Sequence, residues 1–132
     1  MFRIIPLFVF LFAAVLAYSQ CCDFTLVMDD TYGDGWNGGN LDVLVDGEWI
    51  GNFAAVEEGS ISVFEVCNGQ EITLQYESGE YENENSYFLL GGNGNLIHAD
   101  GPEPNVGESG PFVVDCDVVP DPGSSPCVPI VI

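Results

Sequence analysis

The chain has 132 residues and a formal charge of −20 at pH 7, with 21 Asp and Glu against a single basic residue, Arg3. Phosphate contacts depend on Lys and Arg, so this composition excludes nucleic-acid binding and disfavours adhesion to anionic membranes. No carboxylate can pair with a Lys or Arg beyond Arg3. Counter-charge must come from dissolved cations, backbone amides or His98, and self-repulsion at this density suits a salty or divalent-rich medium.

Residues 1–19 read as a secretory signal peptide. Arg3 supplies the early positive charge, Ile4 to Leu16 the apolar stretch, and Ala17-Tyr18-Ser19 a small-residue cleavage site. Pro6 interrupts the apolar stretch, which is short for a membrane span, so no span is expected in the mature chain. Removal of the leader leaves about 112 residues, one domain's worth, with a formal charge of −21 once Arg3 is gone. Gln20 before Cys21 fits a bacterial lipobox poorly, because that position calls for a small residue.

Cys21 and Cys22 open the exported domain, followed by Cys67, Cys116 and Cys127. An oxidising compartment favours disulfides. Five cysteines allow fifteen arrangements of two bridges; the favoured reading joins the Cys21/Cys22 pair to Cys67 and Cys116. Cys127 is then left over for a disulfide-linked dimer. Zinc is the weaker alternative, since the chain has one His and no C-x-x-C.

The first predicted strand is Phe24–Met28. The run Asp30-Thr31-Tyr32-Gly33-Asp34-Gly35-Trp36-Asn37-Gly38-Gly39-Asn40 follows. Carboxylate and amide oxygens are what Ca²⁺ selects, and glycines let one loop wrap its oxygens around a point. The spacing is not that of an EF-hand, because Tyr32 and Leu41 occupy ligand positions. The competing reading is a rigid turn whose Asp and Asn side chains bond their own backbone.

Further strands are predicted at Leu41–Val45, from Glu48 toward Val56, Ile61–Cys67, Glu71–Tyr76, Ser86–Leu90, Leu96–His98 and Phe112–Val114. Asp46-Gly47 and Asn68-Gly69 are hairpin signals. Ile61, Val63 and Glu65 alternate with Ser62, Phe64 and Val66, and neither face is purely polar, so the pattern leaves the core side open. Glu77–Asn85 is a second acidic loop carrying Glu80, Glu82 and Glu84, and Gly101–Gly110 is a third loop. About eight short strands with strong turns predict an all-β sandwich spanning residues 20–116. Residues 117–132, with four prolines, read as a tail or linker.

The segment Cys22–Gly38, with its Asp30-Thr31-Tyr32-Gly33-Asp34-Gly35-Trp36-Asn37-Gly38 run, resembles the "DSYGDGWNG" signature of small secreted modules found in extracellular multidomain proteins of marine bacteria and microbial eukaryotes. Thr31 stands where that signature has Ser. The run Gly79–Leu90 with Gly92-Asn93-Gly94 is similar to the module's second signature. The resemblance implies a β-sandwich accessory module with an extracellular location.

The candidate metal ligands are Asp30, Asp34, Asn37, Glu82 and Glu84, a set shared between the two acidic loops, with Ca²⁺ as the ion. Tyr32, Trp36 and Asn40 are candidate ligand-binding residues. An exposed aromatic ring can stack on a sugar while an amide bonds its hydroxyls, and the alternative for Trp36 is a core anchor. Trp49 is expected in the core. No nucleophile elbow accompanies His98, so no catalytic residue is assigned and the chain is not read as an enzyme. The sequence therefore predicts a Ca²⁺-stabilised binding module for adhesion, or for contact with glycans or extracellular matrix proteins. A purely structural component of a coat, filament or mineralising matrix is the alternative.

Overall fold

A computed structural model describes residues 19–117. Residues 1–18 and 118–132 lie outside it, and with them the expected signal sequence, the Pro-rich tail and any pairing of Cys127. The described chain forms eight strands: β1 (Cys21–Asp30), β2 (Asn40–Val45), β3 (Glu48–Phe53), β4 (Gly59–Cys67), β5 (Glu71–Glu77), β6 (Asn85–Leu90), β7 (Leu96–Asp100) and β8 (Gly107–Val113). They make two four-stranded antiparallel sheets, ordered β4-β1-β6-β7 and β3-β2-β5-β8. The expected all-β two-sheet architecture is present.

Alternation along the strands builds the core. Phe24, Leu26 and Met28 of β1, with Tyr87 and Leu89 of β6, face Leu41 and Val43 of β2 and Ile72, Leu74 and Tyr76 of β5 in one buried cluster. Each such side chain contributes about 1.5–3 kcal/mol by leaving water. Two disulfides staple the same end of the sandwich: Cys21–Cys67 links β1 to β4, and Cys22–Cys116 ties β1 to the chain after β8. The paired cysteines at the start of the domain thus bridge to the two partners expected. Internal disulfides fit an oxidising compartment. Among the described residues no helix is long and apolar enough to cross a membrane.

Three expectations are corrected. Asp46-Gly47 does turn a hairpin between β2 and β3, both residues having positive φ. Asn68-Gly69 does not, because β4 and β5 lie in different sheets. Its turn is held by the segment after β8: the Cys116 N–H donates to Asn68 Oδ1 at 2.6 Å, and the Gly69 N–H to the Val114 carbonyl at 3.0 Å. The loop expected over Gly101–Gly110 is shorter, since Gly107 to Gly110 already belong to β8. Trp49 is not a core anchor. It is 62 % exposed, and its indole N–H donates to Asp42 Oδ1 at 2.8 Å.

The undecided faces of β4 resolve clearly. Val66 is buried and Phe64 half-buried, whereas Ile61 and Val63 point outward and are largely exposed.

Candidate cation site

Asp30 ends β1 at a position whose alternation faces the core, and only 2 % of it is exposed. A buried carboxylate needs compensating donors. The following loop supplies four. The Tyr32 N–H donates to Asp30 Oδ1 at 3.2 Å, and the N–H groups of Gly33, Asp34 and Gly35 donate to Oδ2 at 3.1, 2.8 and 2.6 Å. The chain folds tightly enough to do this because Gly33 and Gly35 take positive φ, where a side chain would be strained. At Gly35 an added Cβ would also press on the Ala55 carbonyl at 3.0 Å. The self-bonding turn weighed in the sequence is therefore present at Asp30.

Trp36 is carried into the core by the same turn and is buried at 1 % exposure. Its indole N–H donates to the Asp29 carbonyl at 2.9 Å, and its ring meets Tyr76 edge-on with centroids 5.5 Å apart. Trp36 is thus a core anchor and not a stacking platform, which corrects its assignment as a ligand-binding residue. Apolar aromatic area and a backbone acceptor at the edge of the core outweigh the polar character of the surrounding loop.

The second acidic loop docks beside the first. The Glu80 N–H donates to the Asn37 carbonyl at 3.0 Å, and the Thr31 N–H to the Glu84 carbonyl at 3.1 Å. Gly79 lies against the backbone of Asn37, Gly38 and Gly39 with no room for a Cβ. A single 3₁₀ turn, Glu82–Glu84, then presents Glu84. Carboxylate oxygens of Asp30, Asp34 and Glu84 all lie within 4.8 Å of one another, with Asp30 buried, Glu84 half-buried and Asp34 exposed. Twice a Ca²⁺–O distance of about 2.3–2.6 Å is about 4.6–5.2 Å, so the three oxygens can hold one such ion. With no cation the group is repulsive: desolvation first, then the charges of Asp30 and Asp34, push the Glu84 carboxyl above its ordinary value.

The other sequence candidates are placed nearby in different roles. Asn37 donates its amide to Asp34 Oδ1 at 3.0 Å and to the Gly35 carbonyl at 2.9 Å, so it orients the carboxylate. Glu82 stands apart from the triad and accepts from the Tyr76 hydroxyl at 2.7 Å and from the Gly79 N–H. Burial pushes the Tyr76 hydroxyl up, which keeps it protonated as the donor of that bond. Asn40 belongs to an outer ladder on β2 and β3, where its Oδ1 accepts from Asn52 at 2.8 Å. Tyr32 is exposed and shares a cleft of about 340 Å³ with Asp34, Glu84 and Tyr81.

Tyr81 is one of the six tyrosines and tryptophans after Tyr18 whose number in the sequence raises the sugar-binding possibility, but it is not among the residues the sequence assigns to the site, and its position between Glu80 and Glu82 was the available signal. Asn85 was missed too. It pairs with Asp30 across β1 and β6, is fully buried, and its Oδ1 accepts no bond among the described residues. Compared with known protein families, with curated proteins and with solved structures, the chain matches none.

Proposed function

We propose that this chain is a secreted, acidic binding module of the kind its two signatures resemble, stabilised by Ca²⁺, that contacts glycans or extracellular proteins. The observation carrying this reading is the meeting of Asp30, Asp34 and Glu84 in a domain with no Lys or Arg. Three of the four N–H bonds to Asp30 fall on Oδ2 and one on Oδ1, so Asp34 and Glu84 offer the freer oxygens, Asp30 supplies the third and water completes the shell. Few protein ligands and partial exposure support a weak site of the kind found in extracellular modules, with an expected Kd of about 10⁻⁴–10⁻³ M. The bound ion would pin the second loop to the first. Tyr32 and Tyr81, both exposed on the cleft, then offer ring faces beside the ion, an arrangement suited to a hydroxyl-rich ligand such as a sugar.

Thermal melts at matched ionic strength test the ion. Ca²⁺ at 100 times Kd adds about 2.7 kcal/mol to the folded state by mass action. Asp34→Ala abolishes the gain and Glu108→Ala retains it. Equal melting in Ca²⁺ and EDTA overturns the reading. A glycan array probed with the wild type and Tyr32→Ala tests the sugar contact. Absence of Ca²⁺-dependent retention removes it.

A further inference from the structure

In an antiparallel sheet with one solvated face, that face is usually polar. The outer face of the β4-β1-β6-β7 sheet is not. The strand register places Ile61, Val27, Phe88 and Ala99 in one row across the four strands, and Val63, Thr25, Leu90 and Leu96 in the next. Ile61 is 70 % exposed, and Val63 and Leu96 are nearly as open. At a strand spacing of about 4.8 Å, each row runs about 15 Å. A depression of about 590 Å³ opens between Ile61 and Phe88, with Val27 and Asp29 in its lining. β4 is also an edge strand, nine residues long, without Pro or Lys to blunt it. Contiguous apolar surface of this kind marks an interaction site.

The flanking rows say what fits. Next to Val63 and Thr25 stand Glu65 and Asp23, two exposed carboxylates facing each other across the ladder. On the other side of Ile61 and Val27 stands Asp29. Like charges directly opposite are unfavourable, and no Lys or Arg of the domain relieves them. A second copy of the chain would bring the same acidic rims together. We infer that this face docks a cationic amphipathic polypeptide segment, whose apolar side chains cover the two rows while Lys or Arg pair with Asp23, Glu65 and Asp29. The surface does not depend on cation binding at Asp34 and Glu84.

The test uses protein expressed from the full coding sequence and three synthetic peptides of equal length, alternating Val/Lys, Ser/Lys and Val/Glu, followed by fluorescence anisotropy with Ca²⁺ and with EDTA. The Val/Lys peptide binds at least about tenfold tighter than Ser/Lys at physiological ionic strength, and Val/Glu does not bind. Ile61→Thr with Val63→Thr removes the tenfold difference. Both positions are exposed and keep β-branched residues, so an unchanged melt confirms the fold, and Leu96→Thr serves as an independent probe of the row that holds Val63. Asp23→Asn with Glu65→Gln weakens both Lys peptides alike and lowers their salt dependence. Equal affinity for Val/Lys and Ser/Lys, or affinity unmoved by the apolar substitutions, overturns the inference. So does a dimer in sedimentation that Ile61→Thr/Val63→Thr dissolves, which would assign the face to a second copy. Binding seen only after deletion of residues 118–132 overturns it in favour of that segment. A Ca²⁺ effect in the melts without peptide selectivity, or the reverse, separates this inference from the cation reading.

Discussion

The buried carboxylate of Asp30 accepts the Gly35 N–H at 2.6 Å, closing the whole first loop onto the end of β1. Three more N–H groups converge on the same side chain. Asp30→Ala therefore strands several donors at once and should destabilise by about 3 kcal/mol, whereas Asp30→Asn keeps one acceptor oxygen and should cost about 1–2 kcal/mol. Asp34→Ala, at an exposed position, should stay within about 0.5 kcal/mol in EDTA. Urea denaturation orders the three. An Asp30→Ala variant as stable as Asp34→Ala would show that water replaces the carboxylate without loss.

Glu84 makes the acidic triad of Asp30, Asp34 and Glu84 pH-sensitive. Its folded carboxyl sits above the ordinary value because it is desolvated and faces Asp30 and Asp34. The folded state then holds the proton more tightly than the unfolded chain, so this group's contribution falls as pH rises through the raised value. In EDTA, wild type and Glu84→Gln should melt together at low pH, and the variant should melt higher above the ordinary carboxylate range. With Ca²⁺ bound as proposed, the order should reverse, since the ion needs the charge. Parallel curves for the two proteins in EDTA at all pH values would contradict the repulsion.

The two tryptophans should behave oppositely. Trp36→Ala empties a fully buried aromatic site against Tyr76 and Tyr87 and should cost about 3–5 kcal/mol. Trp49→Ala loses an exposed ring and one bond to Asp42, and should cost no more than about 1 kcal/mol. Asp42 also reports the contact: bonds from Asn52 and then Trp49 hold its carboxyl below the usual value. Trp49→Phe should raise that pKa, readable by NMR titration. An unmoved Asp42 would exclude the indole bond in solution.

The disulfides differ in the loop they close. Cys21–Cys67 spans 46 residues of sequence and Cys22–Cys116 spans 94, about twice as many. Each doubling of a closed loop is worth about 0.6 kcal/mol. Cys116 is also buried. Replacing Cys22 and Cys116 by Ser should therefore destabilise more than replacing Cys21 and Cys67, by at least that increment. Denaturation midpoints at equal m-value decide the order.

Much of the sandwich was legible because β-branched runs, turn dipeptides and the Cys pair act locally. Phe24–Met28, Glu71–Tyr76 and Asp46-Gly47 carry their own periodicity and turn chemistry. Asn68-Gly69 was misread for a physical reason: a tight turn has the same dihedral demands whether its strands pair with each other or cross between sheets. Trp36 and Trp49 were misplaced for another. Loop polarity says where water is plentiful, but an indole goes wherever the fold leaves a cavity of its size with an acceptor at its edge.

Charge, cysteine number, strand count and the acid-rich loops are properties of the sequence by itself, because they need no partner distant in the chain. Tertiary structure decided what those residues face. The Glu80–Asn37 and Thr31–Glu84 backbone bonds bring Glu84, rather than Glu82, to Asp30 and Asp34. Pairing of β1 with β4 and β6 aligns Ile61, Val27 and Phe88 into an outward apolar row. Neither placement is encoded in local spacing, since both depend on which strands are neighbours, and that is set by the packing of the two sheets as a whole.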